Sequence, residues 1–572
     1  MSSGSSGQGF TVRELLACVG LLAVWFCSGG ILWLAATVAG GHPTGFLGWP
    51  VVAVQSFLGS DRHQFLPWHW VGAATIVNPA TFWAIVGICV ALLAIPAVLG
   101  LGMWRGSIPV PALRARLPQH ATWGSLYNLA NLIVSSPGQL GRLTLGWRGP
   151  SLLAAEPGAS TLVFGPTQSG KTSGLCIPAI LEWQGPVVAI SIKRDLIDNT
   201  AGWRQRRGRT MVYDPVGATD LPSMRWTPIT GCADFDAAWR MGDWLSSAID
   251  KGKGGGDSDW AHWRDAARRL LASGLYAADQ LGASTQELRA WIDDGSGESL
   301  RHALSLVPDC DPAAIEVYQS IQERPERERG SCYSTAQRTL SVFLERKAAE
   351  SAEGNDLDPK EFLLTGENTL YLVAPLMDQE RLQMLFIGII KQIVDQATRL
   401  AQKTPTGRIP QPLLLVLDEL ANTAPIERLP QFLSTGYSQG ITVMAIFQDM
   451  AQIRTRYQDQ TETIINNSRA KVFLSGIADM QTLQLASQLV GQERHRQFTY
   501  SSSGSGDGHS YTTSLRQLLP PEVARQLRPG SALLLYHYLQ PAVLAMRPWF
   551  KNRELRRRAA TPYIPEASRI VA

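Results

Sequence analysis

One eight-residue stretch, GPTQSGKT, constrains the fold of this chain more than any other part of it. It comprises Gly165, Pro166, Thr167, Gln168, Ser169, Gly170, Lys171 and Thr172. The preceding residues, 160–164, are apolar and β-prone and predict a strand, while residues 173–183 predict a helix that Pro178 can kink. A strand, a glycine-rich loop and a helix in this order are typical of a P-loop.

The residue types in this loop suit the binding of a nucleotide. Gly165 and Gly170 allow the backbone to approach phosphate oxygens, because no Cβ stands in the way. The loop N–H groups and the helix N-terminus then form a cradle for an anion. Lys171 is predicted to reach the β- and γ-phosphates of ATP, and Thr172 to ligate Mg²⁺. We assign the loop and the following Ser173 to nucleotide binding, in preference to a glycine-rich turn that binds nothing.

A second apolar strand is predicted at residues 412–417, and it is followed directly by Asp418 and Glu419. An apolar strand that ends in Asp-Glu is a Walker B pattern, which becomes specific when a P-loop lies upstream. Asp418 is predicted to hold Mg²⁺ directly or through water, and Glu419 to orient or activate the attacking water. The alternative is a pair of solvated carboxylates at a strand end.

A third strand is predicted at residues 441–447, and Gln448 follows it. A polar amide beside the Walker B strand can hydrogen-bond the attacking water or the γ-phosphate, so Gln448 joins Lys171 and Glu419 as a candidate catalytic residue. An ordinary glutamine at a strand end remains the alternative.

The composition sets the broad class. A chain of 572 residues is too long for one core, so two or three domains are expected. The formal charge of +4 is mild and does not argue for nucleic acid by itself. The seven cysteines include no CxxC pair and no Cys/His cluster at zinc spacing. A reduced, cytosolic main body without a disulfide framework is therefore expected.

The first 104 residues predict a membrane anchor. Residues 15–38 and 81–104 contain no charged residue, and at ~1.5 Å per residue each run spans a bilayer core of ~30 Å. A cleaved signal peptide would have a shorter apolar region and a more basic start. Arginines after the second run place both termini in the cytoplasm and residues 39–80 outside. The prediction is a multi-pass protein of the cytoplasmic membrane, with its ATPase domain in the cytoplasm.

The remaining chain predicts an α/β fold with one helical insertion. Continuous apolar strands between helical stretches favour a parallel sheet covered on both faces. We assign the nucleotide-binding domain to residues 151–228 and 361–550, and an all-α domain to residues 229–360. Residues 105–150 are a linker, and residues 501–508 a flexible Ser/Gly loop. The basic tail, 551–572, suits contact with DNA phosphates or anionic lipid, or a solvated helix face.

The combined motifs resemble the type IV secretion coupling proteins of the TraG/TraD type, the membrane ATPases of bacterial conjugation. Motif order, the two predicted membrane helices and the helical insertion agree with that family over nearly the whole chain. Besides the P-loop, the matching segments are residues 191–196 (SIKRDL), 213–217 (YDPVG), 225–228 (RWTP, where the family has Asn for Thr), 333–336 (YSTA) and 417–448.

The resemblance implies a RecA-like motor domain that binds ATP and Mg²⁺, a helical domain and an N-terminal membrane anchor. It also implies a homo-hexamer with ATP sites at subunit interfaces, and a relaxase complex with single-stranded DNA and the type IV secretion channel proteins as partners. A coupling ATPase for protein substrates alone shares every motif and stays open. A chromosome-pumping translocase would bring more membrane helices and a winged helix. A non-hydrolysing scaffold is disfavoured by Glu419 and Gln448.

One segment departs from the family pattern. Relatives commonly read Thr-Gly-Arg where this chain has Thr435, Gly436 and Tyr437, and that arginine is a candidate to reach the neighbouring subunit's γ-phosphate. A phenol is neutral near pH 7 and cannot supply the charge. Arg469 is therefore predicted to act across the interface, with Arg428 and Arg454 as further candidates. The alternative is a surface or DNA-facing arginine.

Overall fold

The computed structural model describes residues 31–40, 77–89, 120–248, 257–373, 375–423, 426–427, 429–503 and 506–565. The chain divides into two compact units, Met1–Leu117 and Pro118–Ala572. In the first unit residues 31–38 and 79–89 are helical, and Ala35, Ala36 and Phe82 are buried together. Among the described residues, no helix combines the length and hydropathy needed to cross a bilayer. Most of the predicted spans, 15–38 and 81–104, lies outside the described residues.

The second unit is built on a sheet of twelve strands, beside which stands a separate pair. The strands are β1 (Ile133–Val134), β2 (Thr144–Arg148), β3 (Ser151–Ala154), β4 (Thr161–Phe164), β5 (Val187–Ser191), β6 (Thr210–Tyr213), β7 (Thr369–Val373), β8 (Leu413–Leu417), β9 (Ile441–Phe447), β10 (Ala470–Leu474), β11 (Gln492–Ser503), β12 (Gly506–Gln517), β13 (Ser531–Tyr536) and β14 (Ala542–Ala545). The order in the large sheet is β1-β3-β2-β14-β13-β10-β4-β9-β8-β5-β7-β6.

Seven neighbouring strands, from β10 to β6 in that order, are parallel. Their sequences are almost wholly apolar, as in LLLVL of β8 and ITVMAIF of β9, because both faces of these strands are covered. The remaining five strands extend the sheet beyond β10 through antiparallel pairs.

Helices cover both faces of the sheet. Their bounds are Ile177–Glu182, Asp195–Gln205, Phe235–Ser246, Asp257–Leu281, Thr285–Asp293, Glu298–Leu306, Pro312–Gln322, Glu326–Leu340, Arg346–Glu350, Pro359–Leu364, Gln379–Gln402, Leu420–Thr423, Leu429–Gln439, Met450–Tyr457, Thr461–Asn467, Met480–Val490, Pro521–Arg525 and Arg553–Ala559. A π-helical turn, Thr172–Cys176, precedes the first, and 3₁₀ turns lie at Ala130–Leu132, Ser341–Leu344, Gln458–Gln460 and Trp549–Lys551.

The described residues between β6 and β7 contain helices and no strand, and Trp226 is one of the residues that connect this region to the rest of the unit. This side chain is fully buried, and its Nε1 donates to Gln392 Oε1 at 3.0 Å. Its main-chain N–H donates to the carbonyl oxygen of Ser351 at 2.8 Å. Trp226 therefore fastens the beginning and the end of the helical region to the long helix Gln379–Gln402.

The separate pair, β11 and β12, forms a two-stranded antiparallel ribbon. Its register pairs Gln492 with Gln517 at the base and Ser503 with Gly506 at the far end. The prediction of a flexible loop at residues 501–508 is therefore wrong for residues 501–503 and 506–508, which belong to the strands. Ser and Gly were misleading there because an antiparallel ladder is made by the main chain, which these residues supply as well as any other.

Candidate active site

The P-loop, the Asp-Glu pair and Gln448 meet at one edge of the sheet. They follow β4, β8 and β9, which lie side by side in the order β4-β9-β8 and run parallel. Parallel neighbours end at the same edge, so three sequence-distant motifs converge, as ligand sites of open α/β sheets do.

Both glycines of the loop suit its local geometry. The N–H of Gly165 donates to the carbonyl oxygen of Phe447 at 3.0 Å, which ties the loop to β9. A Cβ on Gly165 would lie 2.6 Å from Ser169 Oγ and 2.7 Å from Leu474 Cδ1. Gly170 has φ +86°, a left-handed conformation that a side chain disfavours. The loop is thus held in one shape with its backbone unobstructed.

The helix after the loop differs from the single kinked helix that the sequence predicts. It begins with the π-helical turn Thr172–Cys176 and continues as the α-helix Ile177–Glu182. Pro178 lies in the first turn of that α-helix and has no N–H to donate into the π-helical turn before it. The helix is therefore irregular in the turn that precedes Pro178, next to the loop.

Lys171 brings a buried positive charge to the site. The residue is 7% exposed, and its Nζ is buried without a hydrogen-bond partner. Nζ lies 3.6 Å from Glu419 Oε1 and 4.0 Å from Asp418 Oδ1. A buried ammonium group that has lost its water needs acceptors, and phosphate oxygens are strong ones. The site therefore fits a nucleotide phosphate beside Lys171.

Thr172 and Asp418 supply adjacent oxygen atoms. The Thr172 hydroxyl donates to Asp418 Oδ2 at 3.4 Å, and Asp418 Oδ1 is buried without a hydrogen-bond partner. Burial raises the pKa of Asp418 to about 6, with Glu419 and Asp195 adding to the rise and Lys171 opposing it. A hydroxyl and a carboxylate with a spare oxygen are ligands that suit Mg²⁺.

Glu419 is held in an unusual backbone conformation, with φ +54°. Non-glycine residues rarely adopt it, and such strain clusters at functional sites. The carboxylate accepts a hydrogen bond from Gln448 Nε2, which lies 3.3 Å from Oε1. The same oxygen faces Lys171. All five predicted catalytic and metal-binding side chains, Lys171, Thr172, Asp418, Glu419 and Gln448, therefore belong to one connected cluster.

Arg469 lies elsewhere. It precedes β10, at the edge of the parallel strands where β4 begins, whereas the P-loop follows the end of β4. Its guanidinium forms an ion pair with Glu156, and its Cζ lies 4.2 Å from the centre of the Tyr437 ring. The structure therefore does not bring Arg469 to the P-loop of its own chain.

The structure describes one of the other two arginine candidates, Arg454. Arg454 donates to Gln481 Oε1 at 2.8 Å, and Arg428 is outside the described residues.

Sequence reasoning missed Gln452. Its Oε1 accepts from the main-chain N–H of Gln448 at 2.8 Å, so it contacts the backbone of a site residue. The only available signal was the spacing, since a side chain four residues after Gln448 returns to it when a helix starts between them.

Comparison with known proteins identifies the family of this chain. The family model described as Type IV secretory system Conjugative DNA transfer matches residues 130–570, which is more than half of the chain. The chain belongs to this family. The resemblance drawn from the motifs is thereby confirmed.

One relative of this chain is a conjugal transfer protein TraG of Escherichia coli. It is 23% identical over 450 residues, which cover 70% of this chain and 68% of TraG. The protein VirD4 of Rhizobium radiobacter is 24% identical over 441 residues, covering 72% of this chain and 60% of VirD4.

Solved structures show the same fold. The conjugative coupling protein TrwBdeltaN70 in its unbound form has a TM-score of 0.58 at 16% identity, covering 75% of this chain and 92% of TrwB. TrwB with the ATP analogue ADPNP has a TM-score of 0.57 at 16% identity, covering 77% and 96%. TrwB has also been solved with ADP and Mg²⁺. The likeness confirms the mixed α/β fold of this conjugative DNA-transfer chain.

Proposed function

We propose that this conjugative DNA-transfer protein is a membrane-anchored ATPase. It couples a relaxase–DNA substrate to a type IV secretion channel and drives the strand through by hydrolysing ATP. The observation that carries the proposal is the cluster at the ends of β4, β8 and β9, in which Lys171 lies 3.6 Å from Glu419 and Thr172 lies 3.4 Å from Asp418.

Each side chain in the cluster has a role in the proposed reaction. Lys171 binds the β- and γ-phosphates, and Thr172 and Asp418 would hold Mg²⁺, which when bound would offset negative charge on the phosphates. Glu419 orients the attacking water and takes up its proton. Gln448 donates to Glu419 and keeps the carboxylate facing the water. The loop encloses the phosphates with the main-chain N–H groups that it does not use internally. Gly165 donates its N–H to Phe447, Ser169 donates to Pro166, and Pro166 has no N–H.

The molecule is proposed to work as a homo-hexamer in the inner membrane. Residues 1–104 anchor it, residues 151–228 and 361–550 together with β1 and β2 form the motor, and residues 229–360 form the all-α domain. A ring with head-to-tail interfaces allows one subunit to complete its neighbour's site.

The basic tail has one arginine that contacts the motor. The Arg558 guanidinium donates to the carbonyl of Leu181 at 2.9 Å, and its Cζ lies 4.9 Å from the centre of the Trp203 ring.

The anchor is tested by reporter fusions in cells. A fusion at residue 60 is expected to report the outside, and a fusion after residue 110 the cytoplasm. The reverse pattern overturns the proposed topology. Recovery of the full-length protein in the soluble fraction without detergent overturns the anchor itself.

The function is tested by ATP turnover of the full-length protein in detergent, with and without single-stranded DNA. Turnover that rises with DNA, and DNA binding that weakens steeply with salt, are expected of a motor that tracks the phosphate backbone. Turnover without any DNA binding at low salt favours a coupling ATPase for protein substrates. No turnover under either condition overturns the ATPase proposal. Glu419→Gln is the matched control for contaminating activity.

A further inference from the structure

The main-chain N–H of Gln448 has a partner of its own. Strand β9 ends at Phe447, whose carbonyl oxygen accepts from Gly165, so Gln448 is the first residue outside the ladder. Its N–H donates to the side-chain oxygen Oε1 of Gln452 at 2.8 Å. The backbone of a proposed catalytic residue is therefore fixed by another residue's side chain.

Gln452 is itself held in place at the start of the helix Met450–Tyr457. The Asp449 side chain caps that helix, and its Oδ1 accepts from the Gln452 N–H at 2.9 Å. The Met450 N–H donates to Thr482 Oγ1 at 2.9 Å, and the Thr482 hydroxyl donates to Asp479 Oδ2 at 2.6 Å. These bonds fix the backbone of the first helical turn, so the side chain of Gln452 projects from a backbone that is held in place.

The contact that depends on this arrangement is a long one. Gln448 Nε2 lies 3.3 Å from Glu419 Oε1, near the outer limit of a useful hydrogen bond. A small rotation of the Gln448 backbone would break it, and Glu419 would then keep only Lys171 beside that oxygen. Gln452 is thus connected to the Glu419 carboxylate through Gln448, which donates one hydrogen bond from its main chain and one from its side chain.

We infer that Gln452 is a positioning residue for ATP hydrolysis, which holds the Gln448 backbone so that the Gln448 amide orients Glu419. The chemical consequence rests on the proposed ATPase function. The positioning itself is a property of the fold and can be measured without turnover.

The surroundings of Gln452 make the substitution tractable. The side chain is half-buried and lines a cleft of about 660 Å³, together with Gln379, Thr455 and Arg456. Replacement there does not open a cavity in the core. Position 452 must supply a hydrogen-bond acceptor for the Gln448 N–H. Glutamate retains this acceptor, and leucine lacks it.

The kinetic test compares Gln452→Leu with Gln452→Glu. Leucine is expected to lower kcat about five- to tenfold, the value of one ordinary hydrogen bond, with KM for ATP unchanged. Glutamate is expected to rescue most of the loss. Adding Gln448→Leu to Gln452→Leu should cost no more than Gln448→Leu alone, because both act through one contact. Gln484→Leu, an exposed helical glutamine, is the matched control.

The second readout is amide hydrogen exchange in the peptide that contains Gln448, in nucleotide-free protein. Faster exchange in Gln452→Leu, restored in Gln452→Glu, supports the assignment whether or not the protein hydrolyses ATP. Unchanged exchange at Gln448 in Gln452→Leu overturns it. A fall in kcat with equally raised KM and a lowered Tm indicates a structural role and also overturns it. Absent turnover in the wild-type protein refutes the proposed function only.

Discussion

The hydroxyl of Thr172 donates to Oδ2 of Asp418 at 3.4 Å, although 246 positions of the sequence separate the two residues. Strand β9 lies between the strands that carry them, so the contact crosses the end of an intervening strand. The two oxygens therefore lie close enough to act together as ligands of the proposed Mg²⁺.

Lys171→Ala is expected to weaken nucleotide binding roughly 10- to 100-fold, because a charge-assisted contact to phosphate is lost. The substitution also leaves Asp418 and Glu419 as neighbouring carboxylates without their cation. Titration with a fluorescent ATP analogue measures the change, and Lys360→Ala, an exposed lysine on another helix, is the control. Equal affinities for the two variants would contradict the assignment.

Glu419→Gln is expected to bind ATP as the wild type does and to hydrolyse it at least about 100-fold more slowly, since the water-orienting base is lost. Single-turnover hydrolysis with a separate binding assay distinguishes the two steps. Wild-type turnover in this variant would remove Glu419 from the mechanism.

The positive φ of Glu419 gives an independent stability prediction. Glu419→Gly is expected to be more stable than Glu419→Ala by about 1 kcal/mol, because glycine adopts the left-handed conformation without strain. Urea denaturation of the two inactive variants measures the difference. At an ordinary backbone position alanine would be the more stable of the two.

The raised pKa of Asp418 makes the stability of the nucleotide-free protein depend on pH. The folded state binds this proton more tightly than the unfolded state, so the unfolding free energy falls as pH rises from about 4 to about 6. Asp418→Asn removes the cost of the buried charge. In EDTA the variant is expected to gain roughly 3 kcal/mol over wild type at pH 7.5 and almost nothing at pH 4. A gain that is equal at both pH values, or one shared by the exposed Asp459→Asn, would contradict this origin.

Arg469 is tested across the subunit interface that the proposed ring requires. Lys171→Ala subunits are inactive in their own pockets, and Arg469→Ala subunits would lack only the donated charge. Mixed rings should therefore regain activity at sites where an intact pocket faces a Lys171→Ala neighbour. Rings of Arg469→Ala alone should lose roughly 10³-fold in rate. Wild-type turnover in those rings refutes the role, and Arg301→Ala, an exposed arginine in the helical region, controls for loss of charge.

The sequence predicted the parts of the site that rest on local patterns. Continuous apolar runs mark β4, β8 and β9, and a recognisable polar pattern follows each of them, so Lys171, Asp418, Glu419 and Gln448 could be predicted as site residues from the sequence. Their meeting at one edge followed from parallel strands.

Features that depend on pairing between distant strands, or on the backbone torsion angles of single residues, could not be predicted from the sequence. The antiparallel extension of the sheet pairs Trp147 with Ala545, for which no local signal exists. The ribbon of β11 and β12 is mostly polar, and its few large apolar or aromatic residues, Phe498, Tyr500, Tyr511 and Leu515, make too short a pattern to mark two strands of twelve residues. The left-handed conformation of Glu419 is set by its surroundings, since glutamate has no preference for it. Gln452 was missed because its partner is a main-chain group.

Strand β4 has a consequence for how the chain matures on the ribosome. Its two neighbours are β9, which begins at Ile441, and β10, which begins at Ala470, whereas β4 begins at Thr161. At ~5–20 residues per second, roughly 15–60 s of synthesis separate the strand that carries the phosphate loop from its first hydrogen-bonded partner. During that interval the apolar segment of β4 has no strand to pair with and is prone to aggregation. Because Gly165 is tied to Phe447, the P-loop reaches the geometry described above only after residue 447 has been synthesised.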